Sequence, residues 1–481
     1  MGQIDHEQLP LLWAMKKYAQ KKVTSFDVPG HKRGKGIPIL NDYFSQQLMA
    51  LDTNALPMLD HAGNPTGVIK EAQALLADAY GADEAFFMTN GSTSAIQVML
   101  MSVLSPGDKI LMPKNIHKSA LNGLILCGGI PIYMKPEICI KEGLMKNVSV
   151  NEVRQQLDAS PDVKAVFLLN PTYFGYTSDL SAIASLCHER DVLLLVDEAH
   201  GAHFPFCEQM PASAMASGAH MSAISVHKTG GALTQASALV VKEGRVDINR
   251  IKQVVNILQT TSASYLLMGS LDAARYNLVK NGRNQINQAV ELAKIAHHQL
   301  NEITGISVVF EQDFYDITKL VINVSGLKLT GFEVYELLWQ KYNIQLELCE
   351  TNHVLAIISL GDDLEGITKL VESMADIAKK YLGNGHAGHL LLEPLLQNQA
   401  VAMSPRDAYF STKKLIPLKE AIGEISGESI MAYPPGIPII SPGELITSEV
   451  VRVLKDLKEK NAFIVDNQDP ELEQILVVVK E

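Results

Sequence analysis

Between residues 83 and 240 short, continuously apolar runs alternate with helix-length amphipathic segments, and Gly, Pro and Asn gather at the joints. The runs "AFFM" (85–88), "KILM" (109–112), "IPIYM" (130–134), "KAVFLLN" (164–170), "VLLLVD" (192–197), "SAISV" (222–226) and "SALVV" (237–241) predict strands. Helices are predicted over 93–104 and 180–190. Unbroken apolar character, unlike strict alternation, suits strands covered on both faces, so the pattern predicts an α/β domain on a mostly parallel sheet. Helical spacing then runs through 265–303, long enough to bridge to a second domain. A smaller α/β unit is expected next, with strands in "GISVVF" (305–310), "TKLVINV" (318–324) and "VLAIISL" (354–360) around a helix at 331–342. Residues 381–395 read as a linker and 433–444, "YPPGIPIISPGE", as a proline-rich loop. The expected divisions are an N-terminal segment 1–30, a large domain 31–300, a small α/β domain 301–380 and a C-terminal domain 381–481.

Length supports more than one domain, because 481 residues exceed what a single core accommodates. A formal charge of −12, with only short basic clusters, argues against a nucleic-acid partner and for a small-molecule enzyme. Five cysteines, at 127, 139, 187, 207 and 349, contain no CxxC pair and read as reduced thiols. The first thirty residues lack a signal-peptide core, and no apolar run reaches the roughly 18 residues of a membrane span. A cytoplasmic protein without a membrane partner is expected.

Ligands of an open parallel sheet bind beyond the carboxyl ends of its strands. There the chain places "TNGSTS" (89–94), "PKNIHKS" (113–119), "NPTYFGYT" (170–177), "DEAHGAH" (197–203) and "HKTGG" (227–231). Gly91 and the hydroxyls of Ser92, Thr93 and Ser94 open a helix whose free amides suit a phosphate, although a Ser/Thr cap looks the same. Asp197 ends an apolar run and needs a cationic partner to stay charged, or else caps the next turn. His117 offers a flat imidazole. His200 and His203 could suggest zinc, but no third ligand can be picked out, and no metal is expected. Lys228 follows an apolar run, where an ammonium must be paired, snorkel to solvent, or be covalently engaged with an aldehyde. Lysine, phosphate cradle, acid and flat ring are together what pyridoxal 5'-phosphate requires.

These segments, with "FDVPGHKRG" (26–34), "NPTYFGYTSDL" (170–180), "SVHKTGGALTQ" (225–235), "TTSASYLL" (260–267), "SPRDAYF" (404–410) and "YPPGIPIISPGE" (433–444), make the chain resemble the fold-type I, pyridoxal-phosphate-dependent ornithine/lysine/arginine decarboxylases, particularly the short bacterial arginine decarboxylase type. The resemblance implies that Lys228 joins the cofactor's aldehyde and that Ser225, Ser92 and Thr93 hold its phosphate. It further implies that Asp197 pairs with the ring nitrogen, His117 stacks on the ring and Ala199 packs on the other face, with His200 also at the cofactor. His227 would orient or protonate the reacting species, His227 or Lys228 returning a proton to Cα. Thr261 lies in the stretch that reaches a neighbouring subunit's cofactor, implying a homodimer or higher homo-oligomer with shared active sites. Larger relatives carry an extra amino-terminal regulatory domain, and none is expected here.

The implied reaction is decarboxylation of a basic amino acid, arginine to agmatine first, with lysine to cadaverine or ornithine to putrescine behind it. Asp407, Glu428 and Glu444 are the carboxylates considered for the substrate's distal cation. Transamination or aldol cleavage would use the same cofactor residues. "DEAH" (197–200) also invites an ATPase reading, but "GHKRGKG" (30–36) has the wrong glycine spacing for a phosphate loop.

Overall fold

The computed structural model describes residues 4–383, 400–432, 437–459 and 464–479. The linker reading falls outside them from residue 384, as do 433–436 of the proline-rich loop. All seven strands of the first region are present: β1 (Glu84–Met88), β2 (Lys109–Pro113), β3 (Ile130–Met134), β4 (Ala165–Leu169), β5 (Leu193–Asp197), β6 (Met221–Ile224) and β7 (Ser237–Val241). They form one mostly parallel sheet in the order β1-β7-β6-β5-β4-β2-β3. Every residue of β4, β6 and β7 is buried, which is why their runs are continuous in apolar character.

β2 lies parallel to β3 and β4, Lys109 opposite Ile130 and Ile110 opposite Ala165. β7 differs, running antiparallel to both β1 and β6, with Phe87 opposite Ala238 and Ala223 opposite Leu239. The connection from β6 to β7 holds a single helical turn, Val226–Thr229. Without a crossover helix, the chain returns antiparallel.

The described chain divides into two compact units, Met1–Ser102 with Val196–Glu208 and Ala212–Asn284, and Val103–Leu195 with Gln209–Pro211 and Gln285–Glu481. The last boundary between their ranges, Asn284/Gln285, falls within the 37-residue helix Tyr265–Asn301, the helical stretch that the spacing predicts. In the first unit the amides of Leu11 and Leu12, opening the helix Pro10–Gln20, donate to Asp272 Oδ2 at 3.1 and 3.2 Å. Arg275, fully buried, donates to the carbonyls of His6 and Gln8 and to Asp272 Oδ1. The amino-terminal segment is therefore fastened by orphan helix donors finding a buried acceptor.

The second unit contains an antiparallel sheet of β8 (Ser307–Val308), β9 (Lys319–Asn323), β10 (Leu348–Cys349) and β11 (His353–Ile357), in the order β8-β9-β11-β10. The helix Gly331–Tyr342 starts where predicted because Thr330 and Glu333 make a reciprocal capping box. Its Val334 and Leu338 enter a core with Leu320, Ile322, Val354 and Met374. A separate core joins Ile430, Ile439, Leu454, Ile475 and Val477. There the strand Lys413–Pro417 pairs antiparallel with Gln474–Val478.

Candidate active site

Lys228 sits in the second half of the turn Val226–Thr229, four residues past the end of β6, and is half-buried. The sequence places it directly on the strand end; the apolar run instead stops at Ile224, and Ser225 leaves the extended conformation. Lys228 N donates to Ser225 O at 3.0 Å, closing the turn. Gly230 ends it: a Cβ there would lie 2.9 Å from both Val226 Cγ1 and Val226 O, so no larger residue fits. The turn aims Lys228 Nζ at His200 Nε2, 2.8 Å away.

Asp197 closes β5 and is buried, accepting from Ala199 N at 3.1 Å. Burial raises its carboxyl to about 6, against the pull of the Lys228 cation and the Ala199 amide. The acid is thus held near its titration point by a hydrophobic setting and drawn toward the charged form by the lysine. Ala199 is buried beside it.

His227 precedes the lysine. Its backbone amide and its Nδ1 both meet Ala236 O, the ring nitrogen at 3.1 Å. A carbonyl only accepts, so Nδ1 carries the proton and Nε2 the lone pair. Burial and then the neighbouring Lys228 cation lower the pKa of the ring, opposed by the Ala236 bond.

Register extends the site sideways. Phe87 pairs with Ala238, and Ala238 with Ile224, so Ser225 stands level with Ser237 and Met88 on one rim. Ser225 Oγ is completely buried with no hydrogen-bond partner among the described residues, and the same holds for the buried hydroxyls of Thr89 and Thr229. Buried hydroxyls left unpaired are costly, so these three call for a polar group from outside the chain. Thr89 leads into the helix Gly91–Val103, where Gly91 has φ +77° and nothing lies within 4 Å of where its Cβ would be. Ser92 at this helix start is half-buried and Thr93 exposed. An amine, a buried carboxylate, unpaired hydroxyls and an open helix N-terminus fit the aldehyde, ring nitrogen and phosphate of pyridoxal phosphate.

The other predicted residues have contacts of their own. His117 belongs to the second unit, where it caps the helix Lys118–Cys127: Ser119 N donates to its Nδ1 at 3.3 Å and Ser119 Oγ lies 2.8 Å from the same nitrogen. Thr261 is exposed, between the helix Ile248–Leu258 and the long helix. His203 is buried, its ring 4.8 Å from that of Phe204. Among the described residues no group of three or more His, Cys, Asp or Glu is placed to hold a metal ion.

The three carboxylates considered for the distal cation are committed internally. Asp407 accepts from Ser404 Oγ at 2.7 Å, and Ser404 caps the helix Pro405–Phe410. Glu428 accepts from the amides of Gln468 and Leu476 at 2.5 and 2.6 Å. Glu444 is buried in an ion pair with Lys114 and accepts from Ser441 N at 3.0 Å, while Lys114 Nζ lies 4.3 Å from the Tyr133 ring centroid. Removing one partner of such a pair strands the other. Lys114→Met is expected to lower the unfolding free energy by about 3–5 kcal/mol, and Lys114→Met with Glu444→Leu to recover most of it. Urea titrations of both variants check this; equal losses would contradict a paired origin.

The sequence assigns no role to Glu198 of "DEAH". Its side chain is buried, accepting from Ala214 N at 2.8 Å and Ser222 Oγ at 2.9 Å. Nor does the sequence single out Thr89 and Thr229, whose signal is a hydroxyl beside an apolar run.

Comparison with known proteins places this geometry. The sequence profile of the Orn/Lys/Arg decarboxylase major domain matches residues 9–312, and that of the family's C-terminal domain matches residues 389–465. An arginine decarboxylase of Halalkalibacterium halodurans is 40% identical over 99% of this chain and 98% of its own length. One of Bacillus subtilis is 39% identical over 99% of both. Among solved structures, lysine decarboxylase A from Pseudomonas aeruginosa superposes with a TM-score of 0.86 at 21% identity, over 98% of this chain and 80% of that one.

The chain belongs to the Orn/Lys/Arg decarboxylase family. It is a decarboxylase, and its cofactor is pyridoxal 5'-phosphate. Family membership disposes of the ATPase reading of 197–200. Among the described residues no helix is long and apolar enough to cross a membrane.

Proposed function

We propose that this protein decarboxylates L-arginine to agmatine and carbon dioxide, with Lys228 as the residue that bonds the cofactor. The substrate assignment is carried by the arginine decarboxylases that match end to end at 39–40% identity. When bound, pyridoxal phosphate supplies an aldehyde that takes up an amine and a π system that accepts the electron pair released with the carboxylate.

The remaining work falls to the chain. His200 Nε2, 2.8 Å from Lys228 Nζ, receives the lysine's hydrogen bond and offers an acceptor through which the amine can lose its proton. Asp197, poised near its titration point, would pair in its charged form with a protonated ring nitrogen and so favour the ring as an electron sink. Ser225, Thr229 and Thr89 would donate to the phosphate along with the amides that open the helix Gly91–Val103, where Ser92 and Thr93 also lie. Ala199 would pack against the ring. His117 stacking on the ring rests on the family resemblance alone. Because His227 Nδ1 is engaged by Ala236 and burial disfavours its charged form, Lys228 is the better donor of the proton to Cα.

The proposal extends to a cytoplasmic homodimer or larger homo-oligomer, with Thr261 at a neighbouring subunit's site; its exposure supports that role. The proposed divisions near residues 300 and 380 are supported by an apolar core over 289–378 and another that joins Met145 to residues between 418 and 477.

Incubating the loaded protein separately with arginine, lysine and ornithine, then trapping carbon dioxide and identifying the amine, tests the substrate. Agmatine with the highest kcat/KM supports the proposal. Cadaverine or putrescine in its place would transfer the assignment to lysine or ornithine, and product without carbon dioxide would point to transamination.

A further inference from the structure

Beside Asp197 lies a second buried carboxyl for which the reaction has no use. Glu198 is 1% exposed, and its two oxygens face two different segments: Oε1 takes Ala214 N at 2.8 Å, and Oε2 takes Ser222 Oγ at 2.9 Å. Its own amide donates to Ala223 O at 3.0 Å. Ser222 lies in β6, the strand that delivers Ser225 and Lys228, whereas Glu198 directly follows Asp197 and is two residues from His200. One side chain thus spans the acid-bearing and lysine-bearing segments in addition to their strand pairing, alongside the Lys228–His200 contact.

We propose that Glu198 is a positioning residue: its carboxyl braces the end of β5 against β6, fixing Asp197 and His200 relative to Ser225 and Lys228. The charged and titratable groups facing it are Asp197 on its own strand and Tyr80 at the end of the helix Val68–Ala79, which donates to Ala202 O. Neither is a cation. A carboxylate at Glu198 would face the Asp197 charge in a buried setting, and burial accordingly raises Glu198 to about 8, its amide and hydroxyl partners opposing and Asp197 adding to the rise. The protonated acid keeps both hydrogen bonds by donating or accepting at Ser222, whose hydroxyl serves either role.

The inference rests on the proposed roles of Asp197 and Lys228, which cofactor labelling of the unaltered chain tests separately. The variants are Glu198→Gln, Glu198→Ala, Ser222→Ala and the combined Glu198→Ala/Ser222→Ala. The readouts are pyridoxal phosphate affinity, the visible absorption of the loaded protein and kcat. Glutamine reproduces the neutral acid, so Glu198→Gln is expected to stay within about 3-fold of the parent in affinity and rate. Loss of buried hydrogen bonds in Glu198→Ala should weaken cofactor binding and kcat by roughly 10- to 100-fold and shift the pH midpoint of the visible band. Ser222→Ala, which removes little volume, should cost about 5-fold. The combined variant should match Glu198→Ala, because the two residues act through one contact. Multiplying losses in the combined variant, or a Glu198→Gln as impaired as Glu198→Ala, would overturn the proposal. So would unchanged cofactor affinity and spectrum in Ser222→Ala and Glu198→Ala. Should Glu198→Ala fail to fold, Ser222→Ala and Glu198→Gln still decide between these outcomes.

Discussion

Lys228→Ala is expected to lose decarboxylation by on the order of 10³-fold or more, since one ε-amino group both bonds the cofactor and returns a proton to Cα. The same variant should retain folding. Lys228 is half-buried at a one-turn helix, and the turn is closed by backbone bonds from Lys228 N and Gly230 N. A thermal melt close to that of the parent, with visible absorption lost on cofactor addition, is the expected combination. Substantial turnover by Lys228→Ala would show that another amine does the work.

Asp197→Asn should cost about 10²–10⁴-fold in kcat, because a neutral amide cannot hold a proton on the ring nitrogen of the cofactor. A second signature belongs to the cofactor-free protein. Asp197 titrates at about 6 when folded against 3.8 ordinarily, so the folded state binds its proton more tightly than the unfolded state does. Its favourable contribution is therefore complete below about pH 4 and is lost as the pH rises through 6, on the order of 3 kcal/mol in all. Asparagine has no such titration. The stability of Asp197→Asn relative to the parent should rise across that window and level off above it, as read by urea unfolding at a series of pH values. A difference independent of pH would mean that the Asp197 carboxyl is not desolvated.

The sequence made the strands of the central sheet legible because burial on both faces leaves them without polar interruption; β4 is the clearest case. It could not reveal the reversal of β7. Strand direction is decided by what fits into the connection, and the segment 225–236 looks like any other Gly-rich loop until its single turn is seen. The same turn moves Lys228 off the strand end and leaves it half-buried, which a strand read through Val226 does not anticipate.

Candidate site residues stand out in the sequence wherever a hydroxyl, acid or amine follows an apolar run. Their pairing does not. His200 and Lys228 are 28 residues apart, Glu198 and Ser222 are 24, and Glu198 and Ala214 are 16, so each contact exists only after the sheet has assembled. Glu444 shows the opposite case, since a carboxylate attractive for a cationic substrate finds its cation 330 residues earlier, in Lys114.

The position of the cofactor bond is tested most directly by adding pyridoxal phosphate to the full chain, reducing with borohydride, digesting, and locating the phosphopyridoxyl mass. The expected result is a single modified peptide, with the added mass on Lys228. Stable modification at a different lysine, or no modification of a protein that nonetheless turns over its substrate, would contradict the account.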